Sequence, residues 1–288
     1  MNDLTVVDAS ALAALSGELG VKAQKSSAVR IPVLKINRAV EDENGKVLPR
    51  GKIFLTGDKP AYADSVTFRP LSHHFQYSRY DAQSKRFDCW TRQIGDWGEE
   101  LRDTKGTIRC GRPDGKAMRN MTRDQKQRFK DVKLSRLIRG LVSFTGTTVD
   151  GEEVTYENQP CILKLTGQNN YQSGNGDKPY APFEAQVRDH IPTGYELWNF
   201  ELTLTTKKHR NDDGSVVWFT YEYAFDPKDP KQVTKEIYDS IISVRDIVRE
   251  ENAKVEAAYM AAITGVRDLD GVYSALGDDL DDDLADED

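Results

Sequence analysis

The chain has 288 residues, 38% of them hydrophobic and 30% charged, which is enough for a core, and no apolar run nears the roughly 20 residues of a membrane span. Its 40 Lys and Arg against 47 Asp and Glu give a net charge of -7, yet ten acids and no base lie from Asp268 onward, so residues 1–267 have a net charge of +3. Cys89, Cys110 and Cys161 are odd in number and widely spaced, which argues against a disulfide framework and for free thiols in a reducing, cytoplasmic setting. MNDLTVVDASALAAL also lacks the basic leader of a secretory signal.

In chain order, residues 1–29 read as a flexible arm, with a short helix around Ala9–Leu19 and the polar KAQKSS after it. A folded domain is expected over 30–264. VRIPVLKINRAV precedes the Asn44-Gly45 hairpin signal, and KIFLTG, SVTFRPL, HHFQYSRY and KRFDCWTRQI follow as short β-branched and aromatic strands. Residues 102–139 form a basic insertion. It begins as a Gly-punctuated loop and continues as a helix from Met121 to Leu134, where Thr122 and Gln125 have capping-box spacing. RLIRGLVSFTG, VTYE and CILKLTG resume the strands, and 168–182 reads as a long loop. A hairpin spans YELWNFELTLTTKKHR and SVVWFTYEYAF. Pairing residues whose numbers sum to 425 sets Leu204 against Tyr221 and Leu202 against Tyr223, with Thr205 against Thr220 and Lys207 against Trp218 on the other face. Val233, Ile237, Ile241, Val244, Val248, Val255, Tyr259 and Ala262 then mark one stripe of a helix over 231–262. Residues 265–288, ending GDDLDDDLADED, are too poor in apolar surface to fold and are expected to be a disordered acidic tail.

Strands without βαβ alternation, one helix among them and one after, indicate a mainly β protein. The expectation is an antiparallel barrel of the oligonucleotide-binding (OB) type with insertions, and a β-sandwich is its competitor.

The chemistry concentrates in 73–93. With DAQSK as the turn, His73, Phe75, Tyr77 and Arg79 share one face of the first strand, and Arg86, Asp88, Trp90 and Arg92 share one face of the second. Arginines neutralise phosphates and an aromatic plane stacks on any base, so this face suits a nucleic-acid strand. It equally suits a core edge with solvated arginines. Between Arg102 and Arg139 stand 13 bases and four acids, and Arg109, Arg112, Lys116 and Arg119 lie in or beside its glycine-rich loop. Such a surplus repels itself unless an anion offsets it. No cofactor or metal is expected, because His73 and His74 point opposite ways along a strand and no Cys-x-x-Cys pair exists. Nothing in the spacing of Asp64, Asp88 and Asp103 gathers them into a nuclease site, no catalytic motif occurs, and no enzyme is expected. Tyr171 and Tyr180 are further candidates for stacking.

In layout the chain resembles the replication single-stranded DNA-binding proteins of tailed bacteriophages, with a short arm, a basic and aromatic β core and an acidic C-terminal tail. The resemblance implies sequence-independent coating of single-stranded DNA in replication, recombination and repair. It implies that the tail competes with DNA and recruits polymerase or helicase-primase through Asp278, Asp279, Leu280, Asp281, Asp282, Asp283, Leu284, Asp286, Glu287 and Asp288. Several such tails end in phenylalanine whereas this one ends in Asp288, leaving Leu280 and Leu284 as its apolar hooks. The arm's KAQKSS is similar to arm motifs that support self-association on DNA. An RNA-binding protein and an acidic-tail interaction protein without nucleic acid are the alternatives.

A tail lying in a basic groove lowers apparent affinity by the fraction of molecules whose groove is open. Truncation after Thr264 moves the balance to 39 bases against 37 acids, or +2. Oligo-dT affinity should therefore rise on truncation, most at low salt, and the gain should shrink as screening grows. Paired salt titrations of both forms measure this.

Overall fold

The computed structural model describes residues 31–41, 45–57, 59–97, 99–106, 110, 119–127, 129, 131–170, 181–211 and 214–264. The arm, the tail, Arg109, Arg112, Lys116, Tyr171 and Tyr180 lie outside them. Ten strands are joined in one sheet: β1 (Val33–Ile36), β2 (Ile53–Leu55), β3 (Ala61–Ala63), β4 (Ser65–Pro70), β5 (His74–Asp81), β6 (Arg86–Trp90), β7 (Val132–Thr148), β8 (Glu153–Leu165), β9 (Leu202–Arg210) and β10 (Val217–Ala224). Among the described residues the α-helices are α1 (Arg123–Gln127), α2 (Phe183–Gln186) and α3 (Lys235–Thr264).

The order β10-β9-β4-β7-β3-β2-β1-β8, with β8 also paired to β7, closes β1, β2, β3, β7 and β8 into a ring. Five strands cannot alternate direction around a closed ring. One pair must be parallel, and it is β1 with β8, Val33 opposite Ile162 and Leu34 opposite Leu163. The sheet is therefore mixed, where a wholly antiparallel one was expected. The 17-residue β7 organises it: β5, β4 and β3 lie in series along one edge and β8 runs along the other. Gly140 permits this, since a Cβ there would stand 2.4 Å from the Arg69 carbonyl and 2.6 Å from the Phe68 ring. The expected VTYE and CILKLTG strands are one, β8. Its register slips opposite Val142–Phe144, where the Asn158 amide donates to Ser143 Oγ at 2.9 Å.

Two expectations are corrected in detail. The helix expected over 121–134 is the short α1, because Val132 and Leu134 pair with Arg79 and Tyr77 of β5 and so belong to β7. The β9–β10 hairpin has its pairs summing to 427, with Leu204 opposite Tyr223 and Tyr221 opposite Thr206. Its loop is two residues longer than the assumed turn: Asn211 closes on Val216, and Gly214 takes φ +73. A shift of two keeps every side chain on its face, so Leu202, Leu204 and Tyr221 are still buried.

The main core fills the ring and the adjoining hairpin with Leu34, Ile53, Phe68, Ile138, Leu163, Phe183, Phe200 and Leu202, among others. The opposite face of β7 is covered by α3, with Leu71 and Leu141 against Ile237, Ile241 and Val244. The helix buries Ile237, Val248 and Val255 of the expected stripe and also Ala258, which the stripe did not include, while Val233 lies outside the helix and is exposed. No helix among the described residues is long and apolar enough to cross a membrane.

Buried arginines fix the pieces around the sheet. Arg69 donates to the carbonyls of Trp198 (2.8 Å) and Gln232 (2.9 Å). Arg136 donates to Glu184 (2.6 Å) and to Asn170 Oδ1 (2.6 Å). Arg139 donates to Gln93 Oε1 (2.8 Å) and Glu251 Oε2 (2.5 Å), and Asn252 exchanges hydrogen bonds with the Gln93 backbone (2.7 and 2.9 Å). Glu251→Ala should leave Arg139 buried without its counter-charge and cost about 3–5 kcal/mol, readable by urea unfolding.

Candidate nucleic-acid interface

The β5–β6 hairpin forms at the expected turn. Asp81 accepts from the Gln83 amide and the Ser84 hydroxyl, and Lys85 takes φ 55 to complete the reversal. A register shift after Arg79 then redistributes the faces. Phe75, Tyr77 and Arg79 lie on the face of Cys89, where Phe75 and Tyr77 are buried, Tyr77 packing with Cys89, Cys110 and Val132. Trp90 pairs with Ser78 on the opposite face, the one that carries Arg139 and Leu141 and is covered by α3. At 3% exposure it presents no plane to a ligand. Arg79 is bound to Asp88, and Arg92 to Glu99 (3.1 Å) and the Glu100 carbonyl (2.9 Å). Of the residues expected to form a groove here, Arg86 and Arg119 are exposed without an ion pair among the described residues. Beside this hairpin Trp97 is 53% exposed, its ring centre 3.9 Å from that of Phe75 and tilted by 35°, but its loop is acidic, with Asp96, Glu99 and Glu100.

The basic segment 102–139 is also partly neutralised by acids distant in sequence. Arg102 is bound to Glu256, contacts Glu100 at 3.0 Å and lies over the Tyr259 ring. Arg136 and Arg139 are the buried arginines paired to Glu184 and Glu251. Glu184 is ionised: burial opposes its charge, but His73 and Arg136 hold its carboxyl down, to about 2. His74 stays neutral at pH 7, since burial, then Arg139 and His73, push its imidazole down to about 4. Asp64, Asp88 and Asp103 are engaged separately, with Lys52, with Arg79 and with the amides of Lys105 and Cys110.

A different cationic group assembles where the β1–β2 connection meets the far end of the β9–β10 hairpin. Cross-strand pairing puts Lys208 beside Phe219 and Arg210 beside Val217 on one face. Arg50 joins them, its guanidinium 5.9 Å from the Phe219 ring centre and donating to the Val217 carbonyl at 3.2 Å. Gly51 makes this approach feasible, since it takes φ +83 and a Cβ would sit 2.4 Å from the Phe219 ring. Arg38 completes the group near the Tyr221 phenol, which burial pushes up in pKa and Arg38 partly lowers. Arg38, Arg50, Lys208 and Arg210 are all exposed and make no ion pair among the described residues. The KKHR run hinted at this group, but its convergence with residues 38 and 50 is a tertiary fact.

Trp90→Ala should cost about 3–5 kcal/mol of stability by urea unfolding, as expected for a large buried side chain. Comparison with protein families, with curated proteins and with solved structures found no match.

Proposed function

We propose that this protein binds single-stranded DNA with little sequence preference, in replication and recombination, and that Arg38, Arg50, Lys208 and Arg210 around Phe219 form part of its contact surface. The observation carrying this reading is their convergence from two separate stretches of chain, with no ion pair to a carboxylate among the described residues. Exposed cations grouped this way repel one another, and a polyanion offsets that cost. Phosphate contacts of this kind carry no base information, so binding is sequence-tolerant. The exposed Arg86 and Arg119 add to the basic surface. The five-stranded ring supports a small-barrel platform, although its order is a meander closed on itself and not the Greek key of an OB barrel. The acidic tail serves as the competitor for this surface and the recruiter of replication proteins.

Replacing Arg50, Lys208 and Arg210 together by Gln keeps most of their packing and removes three charges. Each phosphate contact contributes about 0.7 to the slope of log affinity against log salt for a single strand. Oligo-dT titrations of the triple variant should show weaker binding at low salt and a slope lower by roughly 2. Unchanged affinity and slope would overturn this surface. Matched DNA and RNA oligomers separate the DNA reading from an RNA one.

A further inference from the structure

A cleft of about 350 Å³ opens between the β4–β5 connection and the segment 188–198. Its volume is at the lower end of the range for small-molecule sites, about 300–1,000 Å³. On its lining, Ser72 Oγ and His73 Nδ1 are buried without a hydrogen bond among the described residues, while His73 Nε2 faces Glu184. Buried polar atoms are nearly always satisfied, so unsatisfied ones lining a cleft ask for a ligand or water. His73 is fixed between Phe183, stacked at 5.4 Å, and Phe75, edge-on at 4.7 Å. Its Nε2 lies 3.1 Å from the ionised Glu184, and in the neutral tautomer that carries its proton on Nε2 this contact is satisfied. Nδ1 is then an acceptor, next to a hydroxyl that either donates or accepts.

Around this polar pair the lining mixes polar and apolar groups and includes two aromatic side chains, Tyr195, 44% exposed, and Trp198. Arg188 stands on the lining, exposed, with no ion pair among the described residues. The lining carboxylate, Glu196, is occupied in capping the turn Leu197–Asn199. We infer that the cleft holds one nucleotide. The base lies against Tyr195 and Trp198, its edge N–H donates to His73 Nδ1, its neighbouring carbonyl meets Ser72, and its phosphate contacts Arg188. This deepens the single-strand reading, and rests on it only for the source of the nucleotide, a bound strand rather than free nucleotide. The cleft adjoins the start of β9, and the cationic group lies at that strand's other end, so one strand has two separable contacts.

Calorimetric titration of the full chain with dTMP and with thymidine tests this. Both should bind. Tyr195→Ala should weaken both ligands roughly tenfold, the scale of one lost stacking contact, and Ser72→Val should weaken both by about fivefold to tenfold, the scale of one lost hydrogen bond. Arg188→Gln should weaken dTMP and leave thymidine unchanged. The Arg50, Lys208 and Arg210 triple variant should bind dTMP normally. Absence of dTMP binding at about ten times the millimolar affinity of a weak site, or unchanged binding in both Tyr195→Ala and Ser72→Val, would overturn the cleft assignment and leave the oligo-dT salt titrations standing. Normal dTMP binding with no oligo-dT binding would overturn the strand as source and retain the site for free nucleotide.

Discussion

A guanidinium taken out of water must find acceptors, and in this protein three of them, Arg69, Arg136 and Arg139, are buried in one sheet. Among the described residues, α2, α3 and the turns beside the sheet are tied to it by satisfying them. Arg69 takes the carbonyls of Trp198 and Gln232 and so ties the turn before β9 to the approach to α3. Arg136 takes Glu184 and Asn170, fixing α2 and the 3₁₀ turn that follows β8. Arg139 takes Glu251 and Gln93, clamping the middle of α3 to the stretch after β6. Apolar packing of α3 sets which face turns inward. The ionic contacts set where along the sheet that face comes to rest.

The same requirement explains what could be read in the sequence and what could not. Alternation in β5, β9 and β10 and the helical stripe of α3 are local patterns, and each produced its element in the structure. The β9–β10 register missed by two because the turn was assumed tight, and alternation cannot distinguish shifts of two. Val132 and Leu134 fit a helical stripe as well as a strand, and only their pairing with β5 decides between them. β3, three residues long, is below the length at which alternation means anything. Arg136 and Arg139 counted as surface charge because their counter-ions stand 48 and 112 residues away.

The candidate site follows the same logic in reverse. The basic surplus visible in 102–139 is partly consumed inside the molecule, whereas Arg50 is far in sequence from Lys208 and Arg210 yet meets them beside Phe219 and Val217. Trp90 drew attention as an aromatic between arginines. A bulge in the hairpin sends it to the side under α3 instead. Local sequence density of charge and rings is a poor guide to surface density once long-range pairs are made.

The parallel pairing of β1 with β8 has a consequence for how the chain reaches this structure. Val33 and Leu34 find their partners in Ile162 and Leu163, so the ring cannot close until more than half of the chain has left the ribosome. Until then β1, β2 and β3 form a small meander that β7 can join on the β3 side while the β1 edge stays unpaired, the kind of surface that joins to other chains when left open. Contacts this distant carry a large loop-closure entropy, which places closure late and makes it slow. The last event of synthesis that matters for the ring is therefore the arrival of β8, and its slowest step is a zipper between the first strand and the eighth.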